Sequence, residues 1–178
     1  MDILKTMEEK AFWGYEFLTW LWFLSETSGG EVPVEGHPGV NLWIEEHLAL
    51  LGPDSGSKEN IIKSGDVASS AEAAAALSVG KKVKLARFGM SQGELSWTFV
   101  LDGATLDIRG MKIPHVEAEA EDADAPEALV YLRMGMVRRA VDVIESLFAT
   151  FARLKASAAW EAVTVPEIST WIREKSGK

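Results

Sequence analysis

The side chains that most often carry chemistry are few in this chain, and their spacing does not gather them. There are three histidines and no cysteine, so thiolate nucleophiles, thiolate metal ligands and disulfides are excluded. His37 falls in a Gly/Pro turn, His47 beside a candidate hairpin and His115 at the start of an acidic stretch. None has a second histidine three or four residues away, the spacing that would put two ligands on one helix face. Carboxylates are plentiful, but Glu8-Glu9, Glu45-Glu46 and Glu121-Asp122 are adjacent pairs, which point in different directions on a helix or a strand. No HExxH, GxSxG, phosphate-binding loop or GxGxxG is present. The sequence therefore predicts no catalytic set, no metal and no cofactor, and the chain is not expected to be an enzyme.

Two features suit binding instead. Lys81, Lys82, Lys84 and Arg87 cluster at the start of a candidate strand, with Arg109 and Lys112 further along the same region. Cations spaced in this way could track phosphates, or could guard a sheet edge against aggregation. On a strand, Lys82 and Lys84 share one face and Arg87 takes the other. The second feature is Trp13, Trp20 and Trp22, placed close together in one segment. Stacking of bases on aromatic rings needs neighbouring positive charge, and Glu16 and Glu26 have the wrong sign. These tryptophans are expected to be core or subunit interface.

The elements that must position these residues follow from periodicity. Residues 3–26 lack Pro and carry apolar residues around most of the helix circumference, leaving a narrow polar stripe of Glu9, Glu16, Thr19 and Glu26 for water. Gly29 and Gly30 stop that helix. From Glu31 to Gly65, short apolar stretches cut by Gly and Pro read as strands and turns, with Glu45-Glu46 as a tight hairpin turn or one bent strand in its place. Residues 68–79 form an Ala-rich helix, with Asp66 or Ser69 as N-cap and Gly80 as stop. Strands are expected at 82–90, 95–101 and 105–113, the first alternating Val83, Leu85 and Arg87 against Lys82, Lys84, Ala86 and Phe88. Asp102-Gly103 marks a turn. Pro126 opens a long helix to about residue 156. Along it Val130, Val137, Ile144 and Phe151 recur every seven residues, joined by Ala140, Leu147 and Leu154 and widened by Met134, Val141 and Phe148. A final helix covers 165–175.

Composition bounds the whole. The 178 residues are 47% hydrophobic and 25% charged, an ordinary globular balance, with Trp 7 against Tyr 2. The formal charge of −9 is an average over blocks. Residues 81–114 and 128–178 each carry +3, whereas residues 115–127 alone carry −6. That acidic, Ala-rich stretch is expected to be a mobile connector between an α+β domain at 1–114 and C-terminal helices at 128–178, which pack on the domain or on a second subunit. The strongest apolar run, Phe17 to Leu24 with Thr19 inside it, is too short to cross a bilayer. The opening MDILKTMEEKAF lacks the apolar core of a secretory signal, so a cytoplasmic chain without membrane contact is expected.

One resemblance points somewhere specific. GYEFLTWLWFLSE followed by Gly29-Gly30 resembles a segment of bacterial recombination-associated RdgC-like proteins. LWIEEHLALLG, AEAAAALSVGKKVKLAR, ELSWTFVLDGATLDIRGMKIP and the helix bearing MVRRAVDVIESLF extend the similarity over nearly the whole chain, which matches the C-terminal part of those longer proteins. The resemblance implies a non-enzymatic DNA-associated protein, from a family whose well-known members form ring-shaped dimers around duplex DNA and modulate recombinase activity. It also implies a nucleoid association and, as partners, double-stranded DNA, a second copy, or a separately encoded N-terminal RdgC-like subunit. No DNA-contacting residue of the family maps onto a matched motif.

The sequence as a whole predicts an α+β fold. An antiparallel meander packs against the Trp-rich and Ala-rich helices, with the long C-terminal helix across it or paired with another copy. Lys81, Lys82, Lys84 and Arg87 are the DNA candidates, and Val137, Ile144, Leu147 and Phe151 the partner-interface candidates. The competing expectation is an oligomerisation or protein-interaction module without nucleic-acid affinity.

Overall fold

The computed structural model describes residues 3–52, 60–63, 71–115 and 125–177. Helix α1 (Ile3–Thr27) is followed by strands β1 (Glu31–Val32), β2 (Val40–Leu51) and β3 (Asn60–Lys63), then helix α2 (Ala71–Ser78). Strands β4 (Lys82–Gln92), β5 (Leu95–Asp102) and β6 (Ile108–Lys112) come next, and the chain closes with α3 (Ala125–Lys155), a π-helical turn (Trp160–Thr164) and α4 (Val165–Lys175). The predicted α+β class is the observed one. Residues 116–124 of the acidic stretch, and the N-cap candidates Asp66 and Ser69, lie outside the described residues.

All strand pairs are antiparallel, in the order β1-β2-β4-β5-β6, with β3 also pairing β2. Pleat alternation sends Leu42, Ile44, Leu48 and Leu50 of β2 to one side, with Val83, Ala86, Phe88 and Met90 of β4 and Trp97, Phe99 and Leu101 of β5; all are buried. Helix α1 packs Phe17, Leu18, Trp20, Leu21 and Trp22 into this core, and α3 adds Ala140, Val143, Ile144, Leu147 and Phe151. Residues before and after the acidic stretch thus share one core. Phe17 and Phe151, with ring centroids 5.4 Å apart, join the two helices.

Three local expectations are corrected. Glu45-Glu46 is not a hairpin turn. The strand β2 runs straight through it, with Ile44 opposite Phe88 and Leu48 opposite Ala86, so Glu45, Glu46 and His47 bulge against Arg87 alone. A second irregularity sets Ala49 opposite Leu85 and Leu50 opposite Val83, leaving Lys84 over. Val83 therefore joins Ala86 and Phe88 on the inner face, against the simple alternation expected of β4. Finally, the polar stripe of α1 does not face only water. The Glu16 carboxylate pairs with Lys155. Glu26 accepts from Trp22 Nε1 (2.6 Å), Trp171 Nε1 (2.9 Å) and Lys175 Nζ (2.7 Å), so the stripe is where the C-terminal helices dock.

The helix layer sits close to the sheet because two glycines meet. A Cβ on Gly14 of α1 would lie 1.9 Å from the Gly103 carbonyl oxygen in the β5–β6 turn. In the same turn Asp102 accepts the Ala104 N–H and pairs with Arg109 at 3.0 Å, the local side-chain bond that suits Asp to turns.

Candidate interaction surfaces

The four DNA candidates do not line one groove. Gly80, at a φ of 86°, ends α2, where its N–H donates to Leu77 and that of Lys81 to Ala76. This turn brings Lys81 and Lys82 into a crevice of about 250 Å³ walled by Leu77, Tyr15, Glu16, Trp160, Ile168 and Ile172. Burial lowers the Lys82 pKa from its usual 10.5; the Glu16 carboxylate opposes that shift and the Lys155 ammonium adds to it. Lys84 sits at the β4 irregularity, its carbonyl accepting the Gly103 N–H at 2.7 Å. Arg87 lies elsewhere, 3.6 Å from Glu45 across the large bulge.

Arg87 belongs to the outer face of the sheet, which carries Trp43, Glu45, Leu85, Gly89, Thr98 and Val100 at positions alternate to the core. Trp43 is paired with Gly89 across the strands. A Cβ on Gly89 would come within 2.2 to 2.4 Å of three atoms of the indole, so the ring lies flat on the glycine backbone. Its outer side remains open, at 38% exposure. Arg109 pairs with Val100 and Lys112 with Thr98 on the next strand, which extends a mixed aromatic and basic face. Residue type alone does not single out Trp43; the signal is an aromatic placed across from a strand glycine, which needs the register.

The four partner-interface candidates also divide. Ile144, Leu147 and Phe151 are buried in the chain's own core, so they are not offered to a second chain; Val137 stays exposed. The division falls where α3 leaves the sheet. There Trp97 Nε1 donates to the Met136 carbonyl (3.1 Å) and Arg139 Nε to Gln92 Oε1 (2.8 Å). Before those ties, Val130, Tyr131, Leu132 and Met134 project into solvent, Tyr131 at 65% and Met134 at 61% exposure. Shallow grooves flank this arm, one lined by Val130, Arg133, Met134, Val137 and Arg138, the other by Tyr131, Leu132, Gly135, Met136 and Arg139.

Of the tryptophans in α1, Trp20 and Trp22 are core, and Trp13 is partly exposed with its ring edge-on to Phe151. Among the described residues no three or more His, Asp or Glu side chains gather in a way that could hold a metal ion. No helix among them is long and apolar enough to cross a membrane. Comparison with known proteins finds no matching family model, no matching curated protein and no matching solved structure.

Proposed function

We propose that this chain is a non-enzymatic accessory subunit that works by docking another macromolecule, in the recombination setting implied by its RdgC-like segments. The observation that carries the reading is the N-terminal arm of α3, where five large apolar side chains, Val130, Tyr131, Leu132, Met134 and Val137, stand exposed on one helix. Isolated exposed apolar residues are ordinary, but here Val130, Met134 and Val137 line one groove and Tyr131 and Leu132 the groove beside it, and apolar side chains grouped in this way mark an interaction surface. The partner to test first is the N-terminal portion of an RdgC-like protein, expressed separately. Light scattering of the mixture should give a complex that is lost in the doubly substituted Met134→Asp, Val137→Asp chain. A complex indifferent to both substitutions would remove the arm from the interface.

A second reading, direct contact with DNA, is favoured by the open sheet face, where Trp43 presents a flat ring on the same face as Arg87, with Arg109 and Lys112 on β6, two strands beyond Arg87. Its charge is tempered by Glu45 and by Asp102 and Asp107, which pair with Arg87 and Arg109. Titration of duplex DNA across salt concentrations tests it, since phosphate contacts weaken steeply with salt. Loss of binding on Arg109→Glu with Lys112→Glu assigns the contact to this face. Loss on Lys82→Glu with Lys84→Glu assigns it to the lysine cluster, and no binding at low salt in the presence of Mg²⁺ ends this reading for the isolated chain.

A further inference from the structure

We infer that the α3 arm takes an acidic amphipathic helix of a partner protein, an inference that rests on the docking role proposed above. The apolar stripe of α3 alternates spacings of four and three residues: Val130, Met134 and Val137 continue directly into Val141, Ile144 and Phe148. That spacing is the seam along which one helix packs on another. From Val141 onward the seam turns toward this chain's own core: Ile144 is buried, Phe148 meets the Phe17 ring edge-on at 5.1 Å, and the half-buried Val141 and Phe148 face Leu101, Leu106 and Ile108 across a cavity of about 250 Å³. Beyond Val137 the same seam has no cover among the described residues, so its geometry is already that of a helix-packing face and lacks only the second helix.

Charge selects the occupant. Between residues 128 and 141 there are three arginines and no acid, in a protein whose net charge is −9. Arg133 and Arg138 sit immediately beside Met134 and Val137, at the positions flanking such a seam, and both line its groove. Asp142 holds Arg138 Nε at 2.7 Å, and Glu145 lies at the core end of the groove. Pairing two copies of the arm in parallel would set Arg133 of one against Arg138 of the other, and antiparallel pairing would set each arginine against its own counterpart. Both place like charge beside like charge, which is unfavourable at the flanking positions. A helix with an apolar seam and flanking Glu or Asp meets the same surface with both its apolar and its charged groups satisfied. Nucleic acid would satisfy the arginines and leave the valines and Met134 in water.

The test uses the full chain and three labelled synthetic helical peptides that share a Leu seam and differ only in flanking residues, Glu, Lys or Gln. Fluorescence anisotropy should show the Glu peptide binding about tenfold or more tightly than the Lys peptide, with the preference shrinking as salt rises. Met134→Asp with Val137→Asp should abolish binding; these side chains are exposed, and an unchanged circular dichroism spectrum will show the fold intact. Arg133→Glu with Arg138→Glu should reverse the preference toward the Lys peptide. Equal binding of the Glu and Lys peptides overturns the inference. So does concentration-dependent self-association that Met134→Asp abolishes, or duplex DNA that displaces the Glu peptide; those two results leave the docking role standing with a different occupant. If the arm substitutions change none of these measurements, nor the complex with the RdgC-like N-terminal portion, the docking role fails as well.

Discussion

At the residue scale, Glu26 joins three partners, accepting two indole N–H groups and the Lys175 ammonium. Lys175 also lies over the Trp22 and Trp171 rings, with centroids at 5.7 and 5.6 Å. Removing the carboxylate leaves the buried Trp22 N–H without an acceptor. Glu26→Ala should therefore cost about 1–3 kcal/mol in chemical denaturation, and Glu26→Gln less, because an amide oxygen still accepts. Lys82 supplies a pH dependence. Its folded pKa lies below the unfolded 10.5, so at neutral pH the unfolded chain holds this proton more readily and the folded state is penalised. The penalty fades as pH rises through the folded pKa toward 10.5. Measured against Lys82→Met, the wild-type chain should gain stability over that alkaline window, and parallel pH profiles would refute the assignment. Neither role is legible from residue type. Glu26 is one acid among many on an apolar helix, and apart from Trp22 one turn away, its partners come from 145 and 149 positions away.

At the element scale, most of the architecture follows from local pattern. The helix expected over 165–175 is observed as Val165–Lys175, and that over 3–26 as Ile3–Thr27. Uninterrupted helical periodicity and Gly or Pro at the ends leave little freedom in such segments. The sheet register is less legible, because bulges shift the pairing by whole residues without altering composition. Nothing in Val83–Lys84–Leu85 announces that Lys84 will be left over. The helix α3 shows the same limit differently: its seam is uniform in sequence, yet one half is core and the other is exposed. That split gives paired expectations. Ile144→Asp places a charge in the core and should unfold the chain or cost several kcal/mol, about 3–5. Val137→Asp, seven residues earlier on the same seam, should leave the thermal midpoint nearly unchanged. Equal losses would mean that the arm is covered.

At the scale of the whole molecule, one helical layer lies on one face of an antiparallel sheet, and the contact between α1 and the β5–β6 turn sets its distance. Gly14→Ala would drive a methyl into the backbone oxygen of Gly103, where no flexible side chain can give way. It should destabilise by about 1–3 kcal/mol or more, read as a lowered unfolding midpoint. Gly14→Ser should cost at least as much, and a neutral Ala variant would show that the helix layer can lift. Among the described residues, this one-sided layering leaves Trp43 on the sheet's outer face and the N-terminal end of α3 exposed.

Legible in the amino-acid sequence are the type of most elements, the α+β class and the lack of any local motif for catalysis or metal binding, though not the strand through Glu45-Glu46 or the π-helical turn at Trp160–Thr164. The legible features depend on periodicity, turn residues and spacing, which operate over a few neighbours. Tertiary structure alone decided which cations share a surface, that Glu16 and Glu26 anchor the C-terminal helices, and where the α3 seam passes from core to solvent. Each depends on register and on how far the sheet reaches beneath a helix, quantities set by contacts between residues distant in the chain.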